Sequence, residues 1–121
     1  MKVKFSVILN TFERETQLSD LKNCFKSIFE QSIKPNEVIV VHSGNNKFNL
    51  IEFPKYIKKI KIINYSKKTN ISEARNKGAK KCKNNYLAFI DDDDLWGRNY
   101  LKKSTEFIKK TRSKTVLSTV Y

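Results

Sequence analysis

Runs of β-branched and aromatic residues that alternate with helix-patterned stretches constrain this chain more than any other feature. Val3 to Leu9, Glu37 to Val41, Ile60 to Tyr65 and the run opening at Tyr86 each read as a strand. Thr115 to Tyr121 reads as a fifth. Between them, Leu18, Leu21, Phe25, Ile28 and Phe29 recur at helical spacing and predict a helix from about Thr16 to Gln31. Asn70-Ile71-Ser72-Glu73 has the form of a capping box that opens a helix to about Lys83, and Arg98 to Lys110 reads as a third. Phe48 to Ile57 is ambiguous, and Pro54 limits any helix there. Strands alternating with helices predict parallel pairing through right-handed crossovers. The expected fold class is therefore α/β: a three-layer α/β/α sandwich with a mainly parallel, Rossmann-like sheet.

Parallel strands place all their carboxyl ends on one edge, where ligands bind. Asn10-Thr11-Phe12, His42-Ser43 and Asp91-Asp92-Asp93-Asp94 each follow a strand in this reading, so three polar loops converge on one crevice. The acidic run is the most demanding of them. Two unit charges about 6 Å apart repel by roughly 3 kcal/mol at an effective dielectric near 20. Four adjacent carboxylates need a counter-charge or generous solvation. While the backbone stays extended, Asp91 and Asp93 share one side and Asp92 and Asp94 the other. Such oxygen pairs suit a hard cation, Mg²⁺ or Mn²⁺, with phosphate oxygens completing its shell. The plainer alternative is a solvated acidic turn with Asp94 capping the next helix.

The 121 residues suffice for one domain, with hydrophobic content of 39% and aromatic content of 12% arguing against disorder. No apolar run approaches the length of a membrane span, and the amino terminus enters a strand-like run directly, so no signal peptide is expected. The net charge of +13, carried mainly by Lys, fits attraction to nucleotides, nucleic acid or an anionic membrane surface. It fits equally a lysine-solvated surface of biased composition. Arg, the residue that grips phosphate bidentately, is scarce. Cys24 and Cys82 have no CxxC spacing and no nearby His, which argues for reduced thiols and against zinc.

The loops exclude several nucleotide-binding chemistries. No G-x-G-x-x-G follows the first strand and no P-loop is present. Phospho-acceptor receivers and haloacid-dehalogenase-like phosphatases need their acids after strand one, whereas here they follow strand four. His42 is the single histidine, and no G-x-S-x-G elbow exists.

Four ordered blocks resemble family 2 glycosyltransferases. Val7-Ile8-Leu9-Asn10-Thr11-Phe12-Glu13-Arg14 is similar to the family's opening V-I-x-x-T-[YF]-x-R, and Glu37 to Val41 to its second strand. Ser72-Glu73-Ala74-Arg75-Asn76-Lys77-Gly78 is similar to its A-R-N-x-G helix. Tyr86 to Asp94 resembles Y-[IL]-x-F-[LI]-D-x-D-D.

The resemblance implies a GT-A fold, here cut after about five strands, that binds a nucleotide-diphospho-sugar through Mn²⁺ or Mg²⁺. Carried over residue by residue, Asp93 and Asp91 would hold the metal as the last and first acids of the DXD motif. Asp91 or Asp92 would contact the ribose or a metal-bound water. Thr11 and Phe12 stand where the family contacts and stacks on the base, and Arg75 where it places a positive charge. Glu13 and Ser43 complete the expected donor contacts. Arg75 could instead pair with Glu73 or an Asp, and Phe12 could staple the first helix. Ala74 and Gly78 are expected to let a helix approach the sheet, and Trp96 either gates the donor pocket or closes the core.

Two departures stand out. The family's second strand commonly ends in D-D-G-S, where this chain has His42-Ser43-Gly44-Asn45. Ser43 carries no charge, which puts uridine specificity in doubt. Family members also continue well past 121 residues, so residues 1–121 are expected to be the donor-binding domain of a longer enzyme, inactive alone, with the catalytic base outside it.

The expected function is donor binding for a hexosyltransferase acting on a glycan, polysaccharide or lipid-linked acceptor. It would work in the cytoplasm, at the inner face of the membrane, without nucleic acid. Peripheral membrane association follows from the charge, and self-association from an open edge strand. The alternatives are a non-catalytic nucleotide- or partner-binding module and, third, a basic nucleic-acid-binding domain.

Overall fold

The computed structural model describes residues 2–12, 18–65 and 70–112. Strands β1 (Phe5–Phe12), β2 (Glu37–Ser43), β3 (Ile60–Tyr65) and β4 (Tyr86–Asp91) form one sheet in the order β3-β2-β1-β4. Every pairing is parallel. Helix α1 (Leu18–Phe29) joins β1 to β2, two 3₁₀ turns (Leu50–Glu52 and Pro54–Tyr56) join β2 to β3, α2 (Ile71–Lys80) joins β3 to β4, and α3 (Tyr100–Thr111) follows. The α/β class and parallel sheet expected from the alternation are what the chain forms. The proposed fifth strand, Thr115 to Tyr121, lies outside the described residues.

The two faces of the sheet have different covers. Phe5, Val7, Leu9, Val38, Val40, Ala88 and Ile90 pack with Leu21, Cys24, Phe25 and Ile28 of α1, with Leu50 and Phe53, and with Leu101 and Ile108 of α3. Ile8, Ile39 and Val41 pack against α2 through Ala74. Moving from β1 through β2 to β3 uses one face, and the return to β4 uses the other, as right-handed connections require. Covered on both sides, β1 and β2 are buried along almost their whole length.

The tightest approach is at α2. A Cβ on Gly78 would lie 2.7 Å from Ile8 Cγ2 and 3.0 Å from Val41 Cγ2. With Ala74 fully buried four residues earlier, the helix sits on the sheet at a distance only small residues allow.

Several boundaries differ from the sequence reading. Strands β1 and β2 extend through Phe12 and Ser43, so Thr11 and His42 are ladder partners where a loop was expected. Helix α3 begins at Tyr100, because Gly97 to Asn99 are tied to the end of α1. Gln31 Nε2 donates to Gly97 O (2.6 Å) and Ser27 O (3.0 Å), and its Oε1 accepts from Leu101 N (3.0 Å). Ser32 N donates to Arg98 O. Trp96 is buried and stacks on Tyr100 at 4.6 Å and 15°, so it closes the core.

Candidate functional site

Register decides which side chains meet at the carboxyl edge. Asn10 lies beside Asp91, Thr11 beside His42, and Phe12 beside Ser43. Side chains alternate across a strand. Asn10, Phe12, Ser43 and Asp91 therefore share the α2 side, and Thr11 and His42 the α1 side.

On the α1 side, Thr11 Oγ1 and His42 Nδ1 are 2.6 Å apart in a buried hydrogen bond. The imidazole lies 5.6 Å from the Phe48 ring. Thr11, Phe12, His42 and Phe48 border a cleft of about 290 Å³. On the α2 side, Asn70 caps the helix by accepting from Glu73 N (2.8 Å), while its own amide donates to Glu73 Oε1 (3.0 Å). The capping box thus forms, with the Glu accepting from the side-chain amide of the cap. One turn on, Arg75 Nη2 lies 3.5 Å from Asp91 Oδ1, both side chains about two-fifths exposed. The guanidinium also sits 5.7 Å from the centre of the Phe89 ring.

The acids do not continue the strand. Asp94 N donates to Asp91 O at 3.0 Å and closes a turn, so the side-to-side alternation expected for extended backbone stops at Asp91. Asp93 projects into solvent at the turn, Asp91 and Asp94 are half-buried, and Asp92 is buried. The Cys24 thiol donates to Asp91 O at 3.4 Å. Its pKa is pushed far up, first by burial and then by the four acids, Asp92 foremost, so it stays protonated. The Asp94 carboxyl is raised above the ordinary carboxylate range by burial and by Asp91 and Asp93. Crowded negative charge is thus the electrostatic signature of this edge.

Among the described residues no three His, Cys, Asp or Glu side chains form a ready-made cage for a cation. Mg²⁺ at phosphate sites takes one or two carboxylates, with substrate phosphates completing its octahedron. An exposed Asp93 beside half-buried Asp91 and Asp94 is a hard-oxygen donor set of that kind, so the residues present fit the implied ion.

Of the residues singled out in the sequence, Arg75 and Asp91 meet directly, and Thr11, Phe12 and Ser43 flank the same edge. Glu13 lies outside the described residues. Two further residues were not singled out. Asn10 is buried, and among the described residues neither of its amide atoms has a hydrogen-bond partner. Gln31, which anchors the segment after the acids, was readable as a polar residue at a core position of the α1 stripe.

The parallel order with an acidic turn after β4 defines an α/β domain of the GT-A type. The glycosyl transferase family 2 profile matches residues 6–121, and the chain belongs to that family. An uncharacterised glycosyltransferase of Rickettsia bellii is 34% identical over 109 residues, covering 88% of this chain and 15% of its own length. S. aureus TarS 1–349 in complex with UDP-GlcNAc superposes at a TM-score of 0.72 and 24% identity, over 92% of this chain and 32% of that one. The Pyrobaculum calidifontis mannosyltransferase PcManGT, in complex with GDP-Man and Mn²⁺, superposes at 0.71 and 16% identity, over 89% of this chain and 33% of that one. This chain spans less than half the length of the curated relatives it matches.

Proposed function

We propose that residues 1–121 bind the nucleotide-diphosphate part of a sugar donor, as the donor domain of a longer metal-dependent glycosyltransferase of the hexosyltransferase type. The observation that carries this reading is the acidic turn at the carboxyl edge, with Asp93 exposed beside half-buried Asp91 and Asp94; burial, and then Asp91 and Asp93, raise the Asp94 carboxyl. A divalent cation shared with the donor's diphosphate would supply positive charge to these acids. That neighbours of the same fold are complexes with UDP-GlcNAc and with GDP-Man and Mn²⁺ supports the assignment.

In this reading Asp93 and Asp91 hold Mn²⁺ or Mg²⁺ against the diphosphate. The ion, when bound, neutralises the diphosphate and stabilises it as leaving group. Arg75 restrains Asp91 and offers a second positive charge to the phosphates. Of Asp91 and Asp92, Asp91 has the exposure to reach the ribose, whereas Asp92 is buried. Phe12 offers a ring for the base, with uncharged Ser43 beside it on the ladder; Thr11 and, by the family resemblance, Glu13 complete the expected donor contacts. The acceptor is a glycan, polysaccharide or lipid-linked sugar, and the work is done on the cytoplasmic side of the membrane. The catalytic base belongs to the rest of the enzyme, so this chain alone binds donor weakly and transfers no sugar.

Calorimetric titration of UDP and of GDP, each with and without Mn²⁺, into wild type and Asp93→Ala tests the proposal. Metal-dependent binding that the substitution reduces at least about a hundredfold is expected, since the loss of a metal ligand removes most of the site. Metal-independent binding, or an unaffected variant, would contradict it.

A further inference from the structure

The amino-terminal edge of the sheet carries a different surface. A cleft of about 730 Å³ opens between the segment before β2 and the segment before β3, with Val38 and Ile60 in its floor. Its rim holds Lys34, Lys58, Lys59, Lys61 and Lys83, against one carboxylate, Glu37. Glu37 is committed to Lys61 at 2.7 Å, and Lys34 to Phe29 O at 2.8 Å. Lys58, Lys59 and Lys83 are exposed, and among the described residues that line the cleft Glu37 is the one carboxylate. Beside them two isoleucines project outward: Ile33, next to Lys34, is 37% exposed, and Ile57, next to Lys58, is 52% exposed.

We propose that this edge is a contact surface for an anionic phospholipid membrane. The lysines meet lipid phosphates, and Ile33 and Ile57 enter the interface between headgroups and acyl chains. Apolar side chains set among lysines are what such an interface selects. The charge distribution also fixes the orientation. The acids Asp91 to Asp94 stand toward the opposite edge: Asp91 is level with Asn10 and Glu37 with Ser6, four residues or roughly 13 Å apart along the strands at about 3.3 Å per residue. A negatively charged surface attracts one edge and repels the other. The donor site then faces away from the lipid, toward the aqueous phase.

A membrane is favoured over a nucleic acid by the rings in this region. Phe29 and Tyr56 stack on each other at 4.7 Å, and Lys59 lies over Phe29, so the rings that border this cleft are already engaged by the protein. Nor does the rim hold an arginine for bidentate phosphate recognition. The inference stands apart from the donor site, and the nucleotide titration is unaffected by its failure.

The test is co-sedimentation of the 121-residue chain with vesicles of phosphatidylcholine, with and without phosphatidylglycerol, at low and at physiological salt. Three variants, each checked by circular dichroism, accompany wild type: Lys58→Glu/Lys59→Glu, Ile33→Ser/Ile57→Ser, and Lys109→Glu/Lys110→Glu at the far end of α3. Wild type should bind only the phosphatidylglycerol vesicles, less at higher salt. The Lys58/Lys59 variant should lose at least about tenfold in partitioning, as expected for lysines at a charged surface. The isoleucine variant should lose severalfold, and the α3 variant should stay within about twofold of wild type, being outside the contact. Equal losses in the two charge variants would overturn the proposal, because net charge alone would then explain the binding. So would unchanged partitioning of the isoleucine variant, absence of binding to anionic vesicles, or tighter capture by a single-stranded RNA oligomer at the same salt.

Discussion

The two edges of one sheet bury polar groups in opposite ways. At the amino edge, Glu37 accepts from Ser6 Oγ (2.8 Å), Lys83 N (2.9 Å) and Lys61 Nζ (2.7 Å). Burial alone would raise its carboxyl, yet these three bonds bring it below the ordinary range. At the carboxyl edge the balance reverses. Asp94 is raised, and among the described residues neither amide atom of Asn10 nor the buried Arg75 Nε has a hydrogen-bond partner. A satisfied buried network stabilises a fold, whereas unsatisfied groups and crowded charges cost stability and are kept where a ligand completes them. The contrast fits a structural role for the amino-edge network and supports the ligand site proposed at the carboxyl edge.

Removing the satisfied carboxylate should have the largest effect on stability. Glu37→Ala leaves the Ser6 hydroxyl, the Lys83 N–H and Lys61 without their acceptor and should cost about 2–3 kcal/mol by urea denaturation. A cost under about 0.5 kcal/mol, the range of ordinary surface substitutions, would break the comparison.

The two edges should also respond to pH with opposite sign. The folded pKa of Glu37 lies below its unfolded value, so its contribution is present above the ordinary carboxylate pKa and is lost as pH falls through the lower folded value. The folded pKa of Asp94 lies above its unfolded value, so its contribution is present below the ordinary pKa and is lost as pH rises through the folded one. Stability curves against pH for Glu37→Gln and Asp94→Asn should therefore diverge. The first loses stability at neutral pH and flattens the acid limb, and the second gains slightly at neutral pH. Matching curves would remove the electrostatic basis of the contrast.

The smallest effect is expected at Asn10. Because its amide is unpartnered, Asn10→Val should be neutral or stabilising by up to about 1 kcal/mol, with a β-branched residue in a central strand adding to the gain. A loss above about 1 kcal/mol would show that the amide is satisfied in solution.

The layers of the fold were legible because they rest on repeated signals. Four strands, the α1 stripe and the Asn70 cap each follow from local pattern, and Ala74 and Gly78 were correctly read as packing residues. What escaped depends on neighbours distant in sequence. Thr11, His42 and Ser43 look like loop residues until the ladder between β1 and β2 pairs them. The acidic turn is set by one bond, Asp94 N to Asp91 O, which alternation cannot anticipate. Gln31 determines where α3 begins through bonds to residues more than sixty positions away. At the site, residue types pointed to the edge and offered an Asp or Glu73 as partner for Arg75, while the choice of Asp91 and the burial of Asp92 needed the structure.

Paramagnetic broadening of backbone amide signals by Mn²⁺, in the presence of UDP, asks directly which edge holds the ion. The account predicts that Asp91 to Asp94 broaden first, with Asn10 to Phe12 next, while Glu37, Lys61 and Lys83 broaden least. Broadening centred on Glu37, or spread evenly over the chain, would contradict it.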